Sequence, residues 1–209
     1  MKQDNATTAR ITVILPAYNA AATIAHAIKS VQAQSCPDWV LVIIDDGSTD
    51  STANIARMKA ADDPRLQLIS QENAGVAAAR NAGVAVTETD LIAFLDADDA
   101  LAPVYLERMI AAHDEDPDLA LVCCDAWTFR QEGVPLQHCS ENYGMVPPVT
   151  LKRVLAREFQ IYAAASLKTS WYRKVGGTDE SFRNSVDLDL WVRVLLAGGV
   201  AAYIDEPLA

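Results

Sequence analysis

Short apolar runs rich in β-branched residues alternate with segments of helical periodicity along the first 125 residues. The runs are Ile11–Leu15, Val40–Ile44, Leu66–Ile69, Leu91–Leu95 and Leu119–Cys124. The segments between them place apolar residues three and four positions apart, which predicts helices over Ala20–Gln34, Ser51–Ala61, Ala74–Val86 and Pro103–Glu115. This order predicts an α/β fold, with an open, Rossmann-like, mostly parallel sheet flanked by helices on both faces.

The second part of the chain is less regular. Residues 129–150 contain three prolines and no clear period, and they predict a long loop. Beyond them the pattern predicts helices over Leu151–Glu158 and Asp187–Leu196 and strands over Ala163–Lys168 and Val200–Ile204. No repeat or second domain is visible, so we interpret residues 1–209 as a single domain.

The charge of the chain excludes several classes of protein. Seventeen basic and 28 acidic residues give a net charge of −11, whereas a nucleic-acid binder needs a basic face. The same charge opposes docking to anionic lipid. No run approaches the roughly 20 apolar residues of a transmembrane helix, and Met1–Arg10 lacks the apolar core of a secretory signal. We therefore predict no transmembrane segment and a cytoplasmic location.

Polar clusters follow three of the predicted strands. They are Pro16-Ala17-Tyr18-Asn19, Asp45-Asp46-Gly47-Ser48 and Asp96-Ala97-Asp98-Asp99. Each alone is compatible with an ordinary turn, because Asp, Asn and Gly favour turns. Ligands of open α/β sheets bind outside the carboxyl ends of the strands, so three clusters at successive strand ends predict a binding site.

The cluster after Leu95 holds three carboxylates within four residues. Unpaired carboxylates at this spacing repel one another. A hard divalent cation removes that cost, and Mg²⁺ typically binds one or two carboxylates together with substrate phosphates. An alternative for Asp99 alone is stabilisation of a helix N-terminus.

Six motifs occur in a characteristic order along the chain. They are VILPAYNA, IIDDGSTDST, QENAGVAAARNAG, FLDADD, YRKVGGTDESF and VDLDLW. In this order and spacing, over roughly residues 11–205, the chain resembles a family 2 inverting glycosyltransferase with a GT-A fold. The resemblance implies a nucleotide-diphosphosugar donor, with a UDP-sugar favoured, a divalent metal (Mn²⁺ or Mg²⁺), and a carbohydrate or lipid-linked acceptor.

The resemblance also implies roles for individual residues on the donor side. Asp46 would accept a hydrogen bond from the base, and Arg80 would lie near the base or the diphosphate. Asp96 and Asp98 match the DxD pair of the family: Asp98 would bind the metal directly and Asp96 the ribose or a metal-bound water. The donor would be lined by Pro16, Ala17, Tyr18, Asn19, Asp46, Arg80, Asp96 and Ala97.

Asp187 is the catalytic base that the resemblance implies. The Glu-Asp pair of the family reads Val186-Asp187 in this chain, which keeps the aspartate that would take the acceptor proton. The alternative for Asp187 is an acid at a helix N-terminus. Asp189 faces either the acceptor or solvent, and Trp191 is either a core residue or part of the acceptor pocket.

The resemblance predicts a hexosyltransferase-type enzyme, with residues 1–125 as the donor half and 126–209 as the acceptor half. The Gln-x-x-Arg-Trp signature of processive synthases is absent, which favours a single transfer. The resemblance implies a role in surface polysaccharide or glycoconjugate synthesis. The expected location is the cytoplasmic side, peripheral to the membrane. Relatives of this family commonly continue beyond the last strand, so the chain is expected to be either a short member of the family or a C-terminally truncated domain. The alternatives are a sugar-nucleotide-binding module without transferase activity and, more weakly, a nucleotidyltransferase.

Overall fold

The computed structural model describes residues 9–128, 137–139 and 146–209. Its strands are β1 Ile11–Ala17, β2 Trp39–Asp45, β3 Leu66–Ser70, β4 Leu91–Phe94, β5 Leu119–Asp125, β6 Trp127–Thr128, β7 Gln137–His138, β8 Ser166–Lys168 and β9 Val200–Pro207. Its helices are α1 Ile24–Gln32, α2 Thr52–Asp62, α3 Val76–Ala85, α4 Tyr105–Glu115, α5 Leu151–Leu155, α6 Thr169–Lys174 and α7 Val186–Leu196. In the described part of the chain, no helix has the length and apolar character needed to cross a membrane.

Seven strands form one mixed, mostly parallel sheet in the order β3-β2-β1-β4-β8-β5-β9. Only β8 runs antiparallel to its neighbours, β4 and β5. The strand order reverses between β1 and β4, which is the point where open sheets bind ligands. The registers place Ala17 beside Asp45 and Ile14 beside Phe94, so the carboxyl ends of β1, β2 and β4 share one edge. The predicted α/β architecture is confirmed.

The core lies in layers on the two faces of the sheet. On one face, Ile11, Val13 and Leu15 of β1 belong to the same buried cluster as residues of α1, α2 and α4. On the other face, Ile14 and Phe94 belong to a cluster with residues of α3, α5, α6 and α7. Alternate side chains of β1 are therefore buried on opposite faces of the sheet, as expected of a parallel strand covered by helices on both sides.

Helix α3 approaches the sheet closely at Gly83. A Cβ atom added at this position would lie 2.6 Å from Cγ2 of Ile14 on β1, so a larger residue does not fit without displacement. The close approach also brings Arg80, one turn earlier on α3, to 5.0 Å from the ring of Phe94 on β4. The glycine thus positions a charged side chain against the centre of the sheet.

The second part of the chain differs from the sequence prediction in several places. The helix predicted to end at Glu158 ends at Leu155, the strand predicted from Ala163 begins at Ser166, and α6 was not predicted. The last strand extends to Pro207. Strand β6, which directly precedes the predicted loop, pairs antiparallel with β7, which lies within it. Residues 129–136 and 140–145 of that loop lie outside the described residues.

Candidate functional site: two cavities joined by an arginine

A cavity of about 360 Å³ opens at the carboxyl ends of β1, β2 and β4; we name it the strand-end cavity. Tyr18 is the most exposed large aromatic beside it, with 53% of its surface accessible. Every residue predicted to line the donor, except Arg80, lies in its wall together with Asp98. The wall consists of Pro16, Ala17, Tyr18, Asn19, Ala20, Thr23, Asp46, Val76, Ala79, Asp96, Ala97 and Asp98.

Asn19 connects two loops at the mouth of the strand-end cavity. Its side-chain Oδ1 accepts a hydrogen bond from the Thr49 amide at 2.8 Å, and its own amide donates to Ser48 Oγ at 3.0 Å. Its φ of 50° is in the left-handed region, which asparagine tolerates better than most residues. The asparagine that was predicted to contact the donor therefore also fixes the loop after β1 against the loop after β2.

Asp46 is buried and organises the start of α3. Its carboxylate accepts hydrogen bonds from Gln71 Nε2 at 2.7 Å and from the amides of Ala74 and Gly75 at 2.9 and 2.8 Å. These amides precede the first turn of α3, where backbone donors lack helical partners and negative charge is stabilising. Because an ionised carboxylate has about four acceptor positions, Asp46 keeps the capacity for one further donor.

We expect replacement of Asp46 by alanine to destabilise the fold by about 2–4 kcal/mol, because two buried amides and the Gln71 side chain lose a charged acceptor. Urea denaturation of the Asp46→Ala chain measures the loss. Asp46→Asn, which keeps one acceptor oxygen, should lose less. A free energy of unfolding within about 0.5 kcal/mol of wild type in Asp46→Ala would contradict the anchoring role.

Arg80 on α3 is 1% exposed and links two carboxylates. Its Nη2 lies 2.9 Å from Oδ1 of Asp96, and its Nη1 donates to Oδ1 of Asp187. The guanidinium does not line the strand-end cavity; it lies behind Asp96. Arg80 was predicted near the base or diphosphate of the donor. The structure places it between the cluster after β4 and the start of α7, in contact with Asp96 of the cavity wall.

Asp96, Arg80 and Asp187 form a charged triad, and its electrostatics follow from burial. Burial opposes the charged guanidinium, but the carboxylates of Asp187 and Asp96 outweigh that effect and hold the pKa of Arg80 above its ordinary value. Burial also raises the pKa of Asp187; the charge of Arg80 opposes this rise and the charge of Asp96 adds to it. An arginine keeps its proton in proteins, so Arg80 supplies a permanent positive charge to both carboxylates.

Asp187 opens α7 and lies in the wall of a second cavity, of about 430 Å³, which we name the Asp187 cavity. Ser185, just before the helix, has a φ of 56° and is held in the left-handed region. The triad therefore joins the two cavities, since Asp96 lines one and Asp187 the other. The wall of the Asp187 cavity consists of Val154, Arg157, Phe159, Gln160, Ile161, Tyr162, Ala163, Ser185, Asp187 and Leu188.

Asn81, the residue after Arg80, holds the segment that leads to α7. Its Oδ1 accepts hydrogen bonds from the Tyr172 hydroxyl at 2.6 Å and the Thr178 amide at 3.0 Å. Its Nδ2 donates to the Thr178 carbonyl at 2.9 Å and to Glu180 at 2.8 Å. Two consecutive residues of α3 thus position Asp187: Arg80 contacts it directly, and Asn81 holds the loop that precedes α7.

The structure does not bring Asp189 and Trp191, the predicted acceptor contacts, into the Asp187 cavity. The Asp189 carboxylate is bound by Arg193, with N–O distances of 2.6 and 2.9 Å, one turn along α7. Trp191 is completely buried, and its ring centroid lies 6.5 Å from that of Phe94. Of the two alternatives stated for Trp191, the structure corresponds to the core residue, because Trp191 lies on the side of α7 that packs on the sheet.

The turn Asp96–Asp99 concentrates negative charge beside the strand-end cavity. The Asp99 amide donates to the Asp96 carbonyl at 3.1 Å, which closes the turn. Desolvation and the charges of Asp96 and Asp98 raise the pKa of Asp99 to about 6. Within residues 9–128, 137–139 and 146–209, no group of three His, Cys, Asp or Glu side chains is arranged to bind a metal. A cation here would need ligands from a bound molecule as well.

Sequence reasoning missed most of the wall of the Asp187 cavity. Its largest part is contributed by residues 154–163, for which the sequence predicted only a helix and a strand. The helix predicted over Leu151–Glu158 contains Arg157, which the structure places just past the helix end with a φ of 58°. Nothing in the periodicity marks a residue as left-handed.

Comparison with known proteins gives a consistent picture. The chain is 38% identical over 127 residues to the uncharacterized glycosyltransferase YibD of Escherichia coli strain K12, covering 60% of this chain and 37% of YibD. The crystal structure of S. aureus TarS 1–349 superposes with a TM-score of 0.80 at 22% identity, covering 95% of this chain and 59% of that one. The mannosyltransferase PcManGT of Pyrobaculum calidifontis, solved with GDP-Man and Mn²⁺, gives a TM-score of 0.72 at 21% identity, covering 96% and 56%.

These solved structures share the fold of the chain, and their identities are too low to carry more than that. The chain spans a little over a third of the length of YibD and less than two thirds of either solved chain. The family assignment rests on a broader match: the model of glycosyl transferase family 2 matches residues 12–174, which is most of the sequence. The chain belongs to glycosyl transferase family 2.

Proposed function

We propose that the chain transfers a sugar, with inversion, from a nucleotide-diphosphosugar to an acceptor hydroxyl. The observation that carries the proposal is the pair of cavities joined by Arg80, because this arginine connects the acidic turn after β4 with the partly buried carboxylate of Asp187. Residues 16–98 supply the wall of the strand-end cavity and residues 154–188 that of the Asp187 cavity. This division supports the assignment of a donor half and an acceptor half.

The strand-end cavity binds the nucleotide in this proposal. Tyr18 offers an exposed aromatic face on which a base stacks, and Asp46 has one acceptor position left for a donor group of the base. A UDP-sugar is the favoured donor, since TarS, a protein of the same fold, has been solved with UDP and with UDP-GlcNAc. PcManGT, also of this fold, has been solved with GDP-Man, which makes GDP the main competitor.

The donor set of the acidic turn fits a divalent metal. Asp98 is exposed in the wall of the strand-end cavity, and Asp96 engages Arg80 through Oδ1. Mg²⁺ and Mn²⁺ accept one or two carboxylates when phosphate oxygens complete the coordination, so Asp98, with Asp96 as a second ligand, suffices. When bound, the metal would offset the charge that develops on the leaving diphosphate.

Asp187 acts as the base on the acceptor side. An acceptor hydroxyl in the Asp187 cavity gives its proton to the carboxylate while its oxygen attacks the anomeric carbon of the sugar. The bond from that carbon to the diphosphate oxygen breaks, and the nucleoside diphosphate leaves with the electron pair. Attack from the side opposite the leaving group inverts the anomeric centre. Arg80 holds Asp187 ionised and oriented for this step.

Nucleotide binding to the full chain tests the donor site. Excess UDP with Mn²⁺ should raise the stability of the wild-type chain by about 2.7 kcal/mol at a hundredfold excess over the dissociation constant, which thermal shift detects. Asp98→Ala should lose the Mn²⁺-dependent part of that gain. Asp118→Ala, at an exposed acid before β5, is the matched control and should keep it.

The same panel, extended to GDP and to several nucleotide sugars, identifies the base and the sugar. Unchanged Mn²⁺-dependent affinity for UDP in Asp98→Ala would contradict the metal assignment. If no nucleotide stabilises the wild-type chain with or without metal, the strand-end cavity is not a donor site. Detection of glycosylated product with this chain excludes a binding module without activity.

A further inference from the structure

We propose that the Asp187 cavity selects an acceptor bearing an anionic group, a carboxylate or a phosphate, and that Arg157 binds this group. The inference rests on the proposed function, because it takes the Asp187 cavity as the acceptor site. Arg157 and Asp187 are the charged residues in the described wall of the cavity. A cation and the reactive carboxylate therefore line the same cavity.

The backbone of Arg157 is held in a conformation that normally selects glycine. The Glu158 amide donates to the Arg153 carbonyl at 2.9 Å, and the Arg157 amide donates to the Val154 carbonyl at 3.1 Å. This is the Schellman arrangement at the end of α5, with Arg157 in the left-handed position at a φ of 58°. An arginine here costs free energy that glycine would avoid, so its presence calls for a compensating role.

Backbone strain in the described part of the chain coincides with the two cavities. Three non-glycine residues there have positive φ: Asn19, Arg157 and Ser185. Asn19 lines the strand-end cavity, and Arg157 and Ser185 line the Asp187 cavity. Such residues cluster at functional sites, where the strain fixes a side chain in a working position. This distribution marks the Asp187 cavity as a built site.

The guanidinium of Arg157 is available to a ligand. Among the described residues it forms no side-chain hydrogen bond or ion pair, and the residue is exposed. Arg153, one turn earlier, differs: it donates to the Pro148 carbonyl at 2.9 Å and pairs with Glu158 at 3.7 Å. In a chain with 28 acidic and 17 basic residues, a cation without a carboxylate partner at a cavity wall is well suited to an anion.

The rest of the wall is suited to a sugar ring. Leu188 is 40% exposed in the wall and, with Ile161, offers apolar surface, while Gln160 provides amide donors and acceptors. A pyranose has an apolar face and a polar edge, and so matches this mixture. Because Arg157 lines the Asp187 cavity and not the strand-end cavity, its anion belongs to the acceptor rather than to the donor diphosphate.

The test titrates the isotope-labelled full chain, with UDP and Mg²⁺, with three probes: methyl glucuronide, glucose 6-phosphate and methyl glucoside. The NMR resonances of Gln160, Tyr162 and Leu188 report occupancy of the cavity. We expect at least one anionic probe to bind about tenfold more tightly than methyl glucoside. The order of the two anionic probes distinguishes a carboxylate-bearing from a phosphate-bearing acceptor.

Arg157→Gly should remove the preference for the anion while leaving the melting temperature unchanged or raised by about 2 °C, because glycine suits the left-handed position. Arg157→Lys should retain part of the preference. Arg57→Ala, which removes an exposed arginine of α2, is the charge-matched control and should retain all of it. A residue with a merely structural role would show the reverse pattern, a lower melting temperature and unchanged selectivity.

Three results of the titrations would overturn the proposal: equal binding of charged and neutral probes, no perturbation of the cavity resonances, or an anion preference that survives in Arg157→Gly. A fourth is weaker UDP binding in Arg157→Gly, since Arg157 would then belong to the donor site. If anionic sugars bind the Asp187 cavity but no nucleotide binds the strand-end cavity, the proposed function fails and the anion site stands.

Discussion

Replacement of Asp187 by asparagine is expected to reduce sugar transfer by about 10²–10⁴-fold while nucleotide binding is unchanged. The amide keeps the size of the side chain and can still contact Arg80, but it cannot take the acceptor proton. Asp187 lies in the wall of the Asp187 cavity and is not part of the wall of the strand-end cavity. Chemistry and donor affinity should therefore separate in this variant.

Product formation at saturating donor and calorimetric binding of UDP measure the two effects. Asp118→Asn makes the same change at an exposed acid and should retain wild-type turnover. Because burial raises the pKa of Asp187 and a base must be ionised to act, transfer by the wild-type chain should fall as pH decreases through that raised pKa. Wild-type turnover in Asp187→Asn would refute the assignment of the base.

Replacement of Arg80 by glutamine is expected to impair both stability and transfer. The change removes the positive charge between Asp96 and Asp187, and breaking a buried ion pair costs about 3–5 kcal/mol. The side chains of these two carboxylates are 37% and 30% exposed, so water compensates part of the loss, and we expect about 2 kcal/mol. Transfer should fall about 100-fold or more, because Asp187, the catalytic base, loses its orientation.

The pH profile separates a positioning role of Arg80 from a purely structural one. Without the guanidinium, burial and the charge of Asp96 lose their main opposition and raise the pKa of Asp187 further, so the acidic limb of the transfer profile should move to higher pH. Arg80→Lys keeps the charge but not the planar fork that spans two carboxylates, so its effect should be intermediate. Arg57→Gln is the control. An unshifted limb in Arg80→Gln, with stability lost, would contradict the positioning role.

The sequence predicted the sheet well because buried parallel strands are nearly continuous apolar runs. The run Val40–Ile44 lies within β2, Trp39–Asp45, and the run Leu91–Leu95 matches β4 within one residue. The sequence predicted the class of sheet but not the order of its strands. The observed order brings the three polar clusters to one edge, as expected. Most of the predicted donor residues line one cavity for that reason.

The deviations arise where tertiary contacts override local pattern. The helix predicted from Ala74 begins at Val76, because Asp46 binds the amides of Ala74 and Gly75 and ends the loop there. The helix after Thr150 stops before the left-handed Arg157. Trp191 fits both a core and an acceptor role on the helical pattern, and only the packing of α7 on Phe94 decides between them. The wall of the Asp187 cavity likewise depends on packing that periodicity does not encode.

The most direct test of the two-cavity account is a crystal structure of the chain with UDP and Mn²⁺. We predict that the nucleobase of UDP lies in the strand-end cavity, against Tyr18 and near Asp46, and that the diphosphate with its metal lies beside Asp98. We also predict that the sugar-bearing end of the diphosphate points towards Asp187. A nucleotide bound elsewhere, or one whose diphosphate points away from Asp98 and Asp187, would contradict the account.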